Sequence, residues 1–241
     1  MPLLLSITFL LSVSSQPAAN VDSVVRAFET RYRHTSTLAA TFLERYSENG
    51  RLVRASAGTA YFRRPGRMRW EYESPEKNLF LVDGKFAWFF VPSDHTATRV
   101  PARQSADWRT PLALLAGEAR LSKVCSALAP AKGESPEKPD DVMIFCALRG
   151  SHDKQEPVAS RSGNSASPDA HDTIAFLELN PATGELLRVL VRQPGGVSLE
   201  FKFANWQFNP PLPESLFHFA PAPGVAIVNG ELPSGENLAN P

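Results

Sequence analysis

The chain has 241 residues, of which 43% are hydrophobic and 21% are charged, so it holds enough apolar material for one large core. Its 25 lysines and arginines balance its 25 aspartates and glutamates. A formal net charge of zero leaves no overall electrostatic attraction to nucleic acid or to an anionic membrane. One large domain is therefore the expectation.

The first nineteen residues carry no charge. Leu3–Leu11 is apolar, but it is shorter than the roughly 20 residues that a membrane-spanning helix needs. Small residues follow, among them Ser15 and Ala19. This order is typical of a secretory signal peptide, which we predict over residues 1–19, with a buried N-terminal helix as the alternative. We therefore expect an exported mature domain over residues 20–241.

A first helix is predicted from a cap at Asn20 or Asp22 to about Arg33. Its apolar residues recur at helical spacing and form one stripe: Val21, Val24, Val25, Phe28 and Tyr32.

After this helix the hydrophobic pattern changes to a period of two, which predicts strands. Turns are predicted at Asn49-Gly50, Pro65-Gly66 and Asp83-Gly84, since such pairs favour hairpins. Further strands are predicted in residues 141–148, 173–180, 185–193 and 197–208. In the third of these, Leu187, Val189 and Val191 alternate with Arg188 and Arg192. The pattern predicts an antiparallel meander with one apolar and one solvated face.

A second helix is predicted in residues 109–119, where Thr110 is the cap and Pro111 suits the first helical position. Leu112, Leu114 and Leu115 supply its apolar surface. Residues 130–139 and 150–172 are polar and are predicted as surface loops, the second as an insertion. Residues 224–228 are predicted as a short edge strand.

The stretch Tyr61–Tyr72 combines four arginines with four aromatic residues. Alternation from Arg67 onward places Met68, Trp70 and Tyr72 on one face and Arg67 and Arg69 on the other, whereas a nucleic-acid site needs aromatic and basic groups together. We therefore predict no nucleic-acid binding. Six residues of neighbouring strands are expected to share an apolar face, which Phe201 and Phe203 extend: Phe62, Met68, Trp70, Phe86, Trp88 and Phe90. Such a face is either a plain core or the lining of a cavity for an apolar ligand.

No catalytic motif is present. The histidines show no His-x-x-x-His spacing, and there is no Gly-x-Ser-x-Gly elbow and no Cys-x-x-Cys pair. The pairs His152-Asp153 and His171-Asp172 fit a solvated loop better than a metal site. The sequence therefore predicts no enzyme, no cofactor and no metal. Cys125 and Cys146 form either a disulfide or two buried thiols.

Residues 58–92, GTAYFRRPGRMRWEYESPEKNLFLVDGKFAWFFVP, resemble the signature of the LolA family of periplasmic lipoprotein carriers. The shared features are Gly58, Arg64-Pro65, Trp70, Asp83-Gly84 and Trp88-Phe89. The second predicted helix and residues 215–228 resemble the family as well. The likeness is weak across residues 130–172.

This resemblance implies a mainly β (α+β) fold, an incomplete antiparallel β-barrel covered by a few α-helices that enclose an apolar cavity. It implies a monomeric periplasmic chaperone that takes acylated lipoproteins from an inner-membrane ABC transporter. It would deliver them to an outer-membrane receptor without a cofactor. The alternatives are an envelope-stress sensor domain of the same fold, a carrier of another lipid such as a glycolipid, and a secreted hydrolase.

The resemblance also implies roles for individual residues. Arg64, followed by Pro65, would contact backbone carbonyls of a lid helix in a closed state, with Arg63 as the alternative. The acyl chains would contact Phe62, Met68, Trp70, Phe86, Trp88, Phe90, Leu112, Leu115, Leu199 and Phe201.

Overall fold

The computed structural model describes residues 20–102, 110–117, 120–149, 173–230 and 232. The predicted signal peptide, the insertion at 150–172 with both His-Asp pairs, and the side chains of Thr110 and Pro111 lie outside the described residues. No helix in the described part of the chain is long and apolar enough to cross a membrane.

The described residues form three α-helices and twelve strands. The helices are α1 (Val21–Arg33), α2 (Thr110–Ala116) and α3 (Leu121–Val124). The strands are β1 (Thr37–Glu48), β2 (Arg51–Arg63), β3 (Arg67–Ser74), β4 (Leu79–Val82), β5 (Phe86–Val91), β6 (Thr96–Pro101), β7 (Cys125–Pro130), β8 (Val142–Leu148), β9 (Ile174–Leu179), β10 (Leu186–Arg192), β11 (Val197–Phe208) and β12 (Ala226–Asn229). The sequence reasoning missed β6, β7 and α3.

All twelve strands belong to one sheet, in the order β12-β6-β5-β4-β3-β2-β1-β11-β10-β9-β8-β7. Neighbouring strands are antiparallel except β12, which pairs with β6 in parallel. The two ends of the sheet do not pair with each other, so the sheet is an open barrel with helices packed against it. The predicted mainly β fold, an incomplete barrel with a few helices, is confirmed.

Helix α1 begins as predicted, because the Asn20 side chain accepts a hydrogen bond from the backbone N–H of Asp22. Val24, Phe28 and Tyr32 are its buried residues. The helix lies close to the β9–β10 turn: a Cβ added at Gly184, where φ is +71°, would stand 2.6 Å from the carbonyl oxygen of Ala27.

Helices α1 and α2 both pack on one face of the sheet, which we call the inner face. The buried side chains of this face belong to one cluster with Val24 and Phe28 of α1 and Leu112 and Leu115 of α2. The β10 residues on this face differ from the prediction. Leu186 is buried and Leu187 is not, because a register shift between Leu186 and Arg188 changes the phase of the alternation.

The opposite, outer face is covered in part by segments between strands. Over β9–β11, Arg188 donates to the carboxylates of Glu178 (2.7 Å) and Glu200 (3.2 Å) and to the carbonyl oxygen of Ser135. The Glu178 carboxylate also accepts from the backbone N–H of Glu137. These contacts fasten the loop before β8 to the outer face. Glu178 is 1% exposed, so the carboxylate is both buried and paired, as such groups must be.

Cys125 and Cys146 form a disulfide with a Cα–Cα distance of 5.3 Å. It joins the edge strand β7 to β8 and closes a segment with a sequence separation of 21 residues. Of the two alternatives given for these cysteines, a disulfide or two buried thiols, the structure therefore has the disulfide.

Candidate functional site

The centre of the inner face is an aromatic cluster around Trp70 on β3. Its indole ring lies 4.8 Å from the ring of Phe42, 5.7 Å from Phe62, 5.5 Å from Phe201 and 6.1 Å from Phe203, measured between centroids. All five side chains are buried. Helix α1 extends the cluster, because Tyr32 contacts the rings of β11. The antiparallel register brings the members together, since directly paired residues point to the same face of a sheet.

The structure places most of the predicted cavity residues on this face. They share one cluster of buried residues: Phe62, Met68, Trp70, Leu112, Leu115, Leu199 and Phe201. Sequence reasoning did not assign Phe42, Phe80 or Trp206 to it. The alternation in β1 was the available signal for Phe42, and nothing local marked Trp206, because Asn205 with φ +55° interrupts the alternation of β11.

The prediction was wrong for Phe86, Trp88 and Phe90, which lie on the outer face. Trp70 pairs with Phe80 and Phe80 pairs with Phe89, so the inward residues of β5 are Ala87 and Phe89. The three outward residues form a separate cluster with Leu81, Ala97 and residues of the C-terminal segment. The ring of Phe219 covers them, 4.9 Å from Trp88 and 5.5 Å from Phe90.

Two further residues of the family signature have structural roles. Gly58 is required by close packing, since a Cβ there would stand 1.9 Å from the carbonyl oxygen of Glu71. Asp83 fixes the β4–β5 turn: its carboxylate accepts from the backbone N–H groups of Lys85 and Phe86 (2.7 Å each) and from Trp88 Nε1 (3.0 Å). Burial by itself raises the pKa of Asp83, but these hydrogen bonds outweigh it and lower the pKa below its ordinary value.

Arg64 joins the ends of both covering helices. Its guanidinium donates to the carbonyl oxygens of Tyr32 and Arg33 (3.4 Å for the latter) at the end of α1. It also donates to the carbonyl oxygen of Leu115 in the last turn of α2, at 3.3 Å. The backbone N–H of Gly66 donates to the carbonyl oxygen of Ala116 at 2.7 Å. We call this set of contacts the clasp. A cation beside two helix C-termini is electrostatically favourable, because helix dipoles are negative there.

Arg63 points elsewhere. It donates to the carbonyl oxygen of Leu212 at 2.8 Å and lies 3.1 Å from the Glu214 carboxylate, in the segment after β11. Of the two neighbouring arginines, Arg64 is therefore the one that contacts the covering helices. Pro65 follows it in the turn and is exposed.

Burial governs the electrostatics of the clasp. It lowers the pKa of the Arg64 guanidinium, and the nearby Tyr32 opposes that shift. Burial also raises the pKa of the Tyr32 hydroxyl, which accepts a hydrogen bond from the backbone N–H of Leu186 at 3.1 Å. Tyr32 therefore links α1 to the sheet through its side chain and to Arg64 through its carbonyl.

The described residues do not group three or more histidine, cysteine, aspartate or glutamate side chains as a metal ion would require. Among them, the site consists of an apolar face, two helices and a cationic contact that holds the helix ends.

Comparison with known proteins shows what this chain is similar to. The family model described as outer membrane lipoprotein carrier protein LolA matches residues 33–132, which include the signature and all the clasp residues except Tyr32. The outer-membrane lipoprotein carrier protein of Nitrosospira multiformis is 28% identical over 225 residues, 92% of this chain and 94% of that protein. That of Nitrosomonas europaea is 27% identical over 220 residues, 90% and 95% of the two chains. The chain is therefore similar to the LolA family over most of its length.

Among solved structures, an uncharacterised conserved protein from Thermus thermophilus is similar with a TM-score of 0.52 and 14% identity. The match covers 87% of this chain and 98% of that one. At that identity the likeness concerns the fold alone. The similarity supports a carrier role at the level of the family, whose members are described as lipoprotein carrier proteins.

Proposed function

We propose that this chain is a periplasmic carrier of the LolA family that binds the acyl chains of lipoproteins between its inner face and the helices α1 and α2. It takes its cargo from an inner-membrane ABC transporter and passes it to a receptor at the outer membrane. The observation that carries the proposal is the clasp. Arg64 holds the ends of both helices over an aromatic face, and its contacts are hydrogen bonds rather than packing.

Apolar burial explains why such a carrier is needed. Each buried CH₂ group of an acyl chain contributes about 0.8 kcal/mol, so an anchor with two or three chains does not leave a membrane for water unaided. The carrier offers a face whose residues include Phe62, Trp70 and Phe201. To accept the chains, α1 and α2 must separate from that face.

The clasp is suited to this separation because it is breakable. A hydrogen bond to a charged group contributes about 1.5–3 kcal/mol, which is a small fraction of what several acyl chains supply on burial. Closing of the clasp again favours release of the cargo. The carrier therefore has a closed state that competes with its ligand, and this allows transfer onward.

A release assay tests the proposal. Inner-membrane vesicles that contain the ABC transporter and a labelled lipoprotein are incubated with ATP and the purified chain, and the soluble fraction is separated by size. The proposal predicts labelled lipoprotein in a one-to-one complex with the chain, and no release without it. Label that stays in the vesicles while the protein remains folded by circular dichroism contradicts it.

The same preparation separates the two alternatives of the same fold. A stress-sensor domain would bind a partner protein without removing lipoprotein from the vesicles. A glycolipid carrier would bring labelled glycolipid, and not labelled lipoprotein, into the soluble fraction.

A further inference from the structure

The indole N–H of Trp70 is a buried hydrogen-bond donor with no partner among the described residues. The side chain is 0% exposed. Buried tryptophan N–H groups usually find an acceptor, and an unpaired buried polar group in a native protein needs an explanation. Two other indoles of the chain follow the rule: Trp88 donates to the Asp83 carboxylate at 3.0 Å and Trp206 to the carbonyl oxygen of Leu186 at 2.7 Å.

Among the described residues, the groups in contact with Trp70 offer its N–H no acceptor. Its neighbours on the inner face are the aromatic rings of Phe42, Phe62 and Phe201, and its direct partner on β2 is Ala60. Rings provide at most weak N–H···π contacts. The small side chain of Ala60 leaves the indole with a short neighbour on that side. An unpaired donor therefore stands among aromatic rings, on a face whose buried carboxylate, Glu44, already accepts from the hydroxyl of Tyr72 at 2.6 Å.

The position of Trp70 along β3 indicates which part of a bound ligand lies beside its indole N–H. Trp70 lies three residues beyond Arg67, the first residue of β3 after the clasp turn, which is roughly 10 Å at the rise of a strand. A ligand held with its polar end beside the clasp would span this distance with its glycerol and place the first groups of its chains at the indole, while the rest of the hydrocarbon lay beyond. In an acylated glycerol, the first groups of each chain are ester carbonyls.

We propose that Trp70 Nε1 donates a hydrogen bond to an ester carbonyl oxygen of the ligand's acylated glycerol, and so distinguishes acyl chains from plain alkyl chains. This inference rests on the proposed function, since it needs acyl chains on the inner face. The bond gives the buried donor the acceptor that it lacks, so an ester-bearing ligand gains affinity that an apolar ligand of the same length does not.

Two lipids that differ only in their carbonyl groups test the proposal: 1,2-dipalmitoylglycerol and its ether analogue 1,2-di-O-hexadecylglycerol. Their affinities are measured by displacement of a polarity-sensitive naphthalene dye from the purified chain. We expect the diester to bind about tenfold more tightly than the diether, which corresponds to one hydrogen bond. Trp70→Phe keeps an aromatic ring without the N–H, and should abolish the preference by weakening the diester alone.

Trp88→Phe is the matched control, because it removes an indole N–H from the outer face and should keep the tenfold preference. A measurement on the unmodified protein covers the case in which Trp70→Phe misfolds. The indole ¹⁵N–¹H resonance that remains in all three variants Trp88→Phe, Trp108→Phe and Trp206→Phe belongs to Trp70. It should move downfield with the diester and not with the diether.

Each possible result of the binding measurements supports or refutes the proposed role of Trp70. Equal affinities of the unmodified protein for both lipids, or an unchanged preference in Trp70→Phe, overturn the role of Trp70 and leave the carrier function in place. Binding of neither lipid overturns acyl binding, and with it both the carrier function and this inference.

Discussion

Replacing Arg64 by leucine removes the guanidinium contacts of the clasp and leaves a shorter, apolar side chain. In the closed state Arg64 contacts α1 through the carbonyl of Tyr32 and α2 through the carbonyl of Leu115. Taking the low end of about 1.5–3 kcal/mol for each charged hydrogen bond, the closed state loses about 3 kcal/mol from these two contacts.

This loss should tighten ligand binding. The clasp competes with acyl chains for the space between the helices and the sheet, so the apparent affinity of the intact protein is reduced by the population of its closed state. At about 1.4 kcal/mol for each tenfold change, Arg64→Leu should bind acyl chains up to about 100-fold more tightly. Loading from vesicles should persist, whereas transfer to an acceptor should slow, because nothing favours reclosure.

Equilibrium displacement of an acylated fluorescent probe gives the affinity, and stopped-flow dilution gives the rate of release. Arg63→Leu is the control: its contacts are with Leu212 and Glu214, so affinity and release should match those of the unmodified protein. An Arg64→Leu protein that folds normally but binds the probe no more tightly, or releases it at the original rate, would refute the competition between clasp and ligand.

Three further predictions concern the scaffold. Replacing Cys125 and Cys146 by alanine should lower the free energy of unfolding in urea by about 3 kcal/mol, the value typical of a loop of this length, and the intact chain should gain two protons in mass on reduction. Gly184→Ala should destabilise the protein more than Gly133→Ala: both have positive φ, but only Gly184 would bring its Cβ against backbone; equal urea midpoints would contradict the close packing of α1. Hydrogen bonds depress the folded-state pKa of Asp83. The contribution of its carboxylate to stability is therefore present above the unfolded pKa of about 3.9 and is lost as the pH falls through the folded-state pKa. Asp83→Asn should accordingly reduce stability at pH 7 and differ less from the parent protein in acid.

Local sequence signals, namely turn residues and alternation, were sufficient to predict much of the sheet. Asn49 and Gly50 have φ values of +48° and +76°, as the predicted hairpin requires, and the alternation of β11 correctly placed Leu199 and Phe201 inward. Strand β7, with the sequence CSALAP, was missed because six residues without alternation carry no strand signal. Its place at the sheet edge depends on the disulfide and on pairing with β8.

The prediction of which residues of β5 point inward was wrong for a different reason. Its sequence, FAWFFV, is apolar in both phases, so periodicity does not decide which residues point inward. The decision comes from the register with β4 and from Phe219, a residue far away in sequence that covers the outer side. Glu44 is the opposite case, a charged residue that lies at a buried position of its strand. It lies buried between inward positions, and its charge is accommodated by the hydroxyl of Tyr72 at 2.6 Å, a contact that only the folded sheet supplies.

The proposed function requires acyl chains to lie against the inner face of the sheet. A lipoprotein carrying photoactivatable acyl chains, released from vesicles into a complex with this chain and then irradiated, tests it most directly, with the cross-linked residues identified by peptide mass spectrometry. We expect adducts at Phe62, Trp70 and Phe201. Adducts confined to the outer cluster of Trp88 and Phe219, or a complex without any adduct on the sheet, would contradict it.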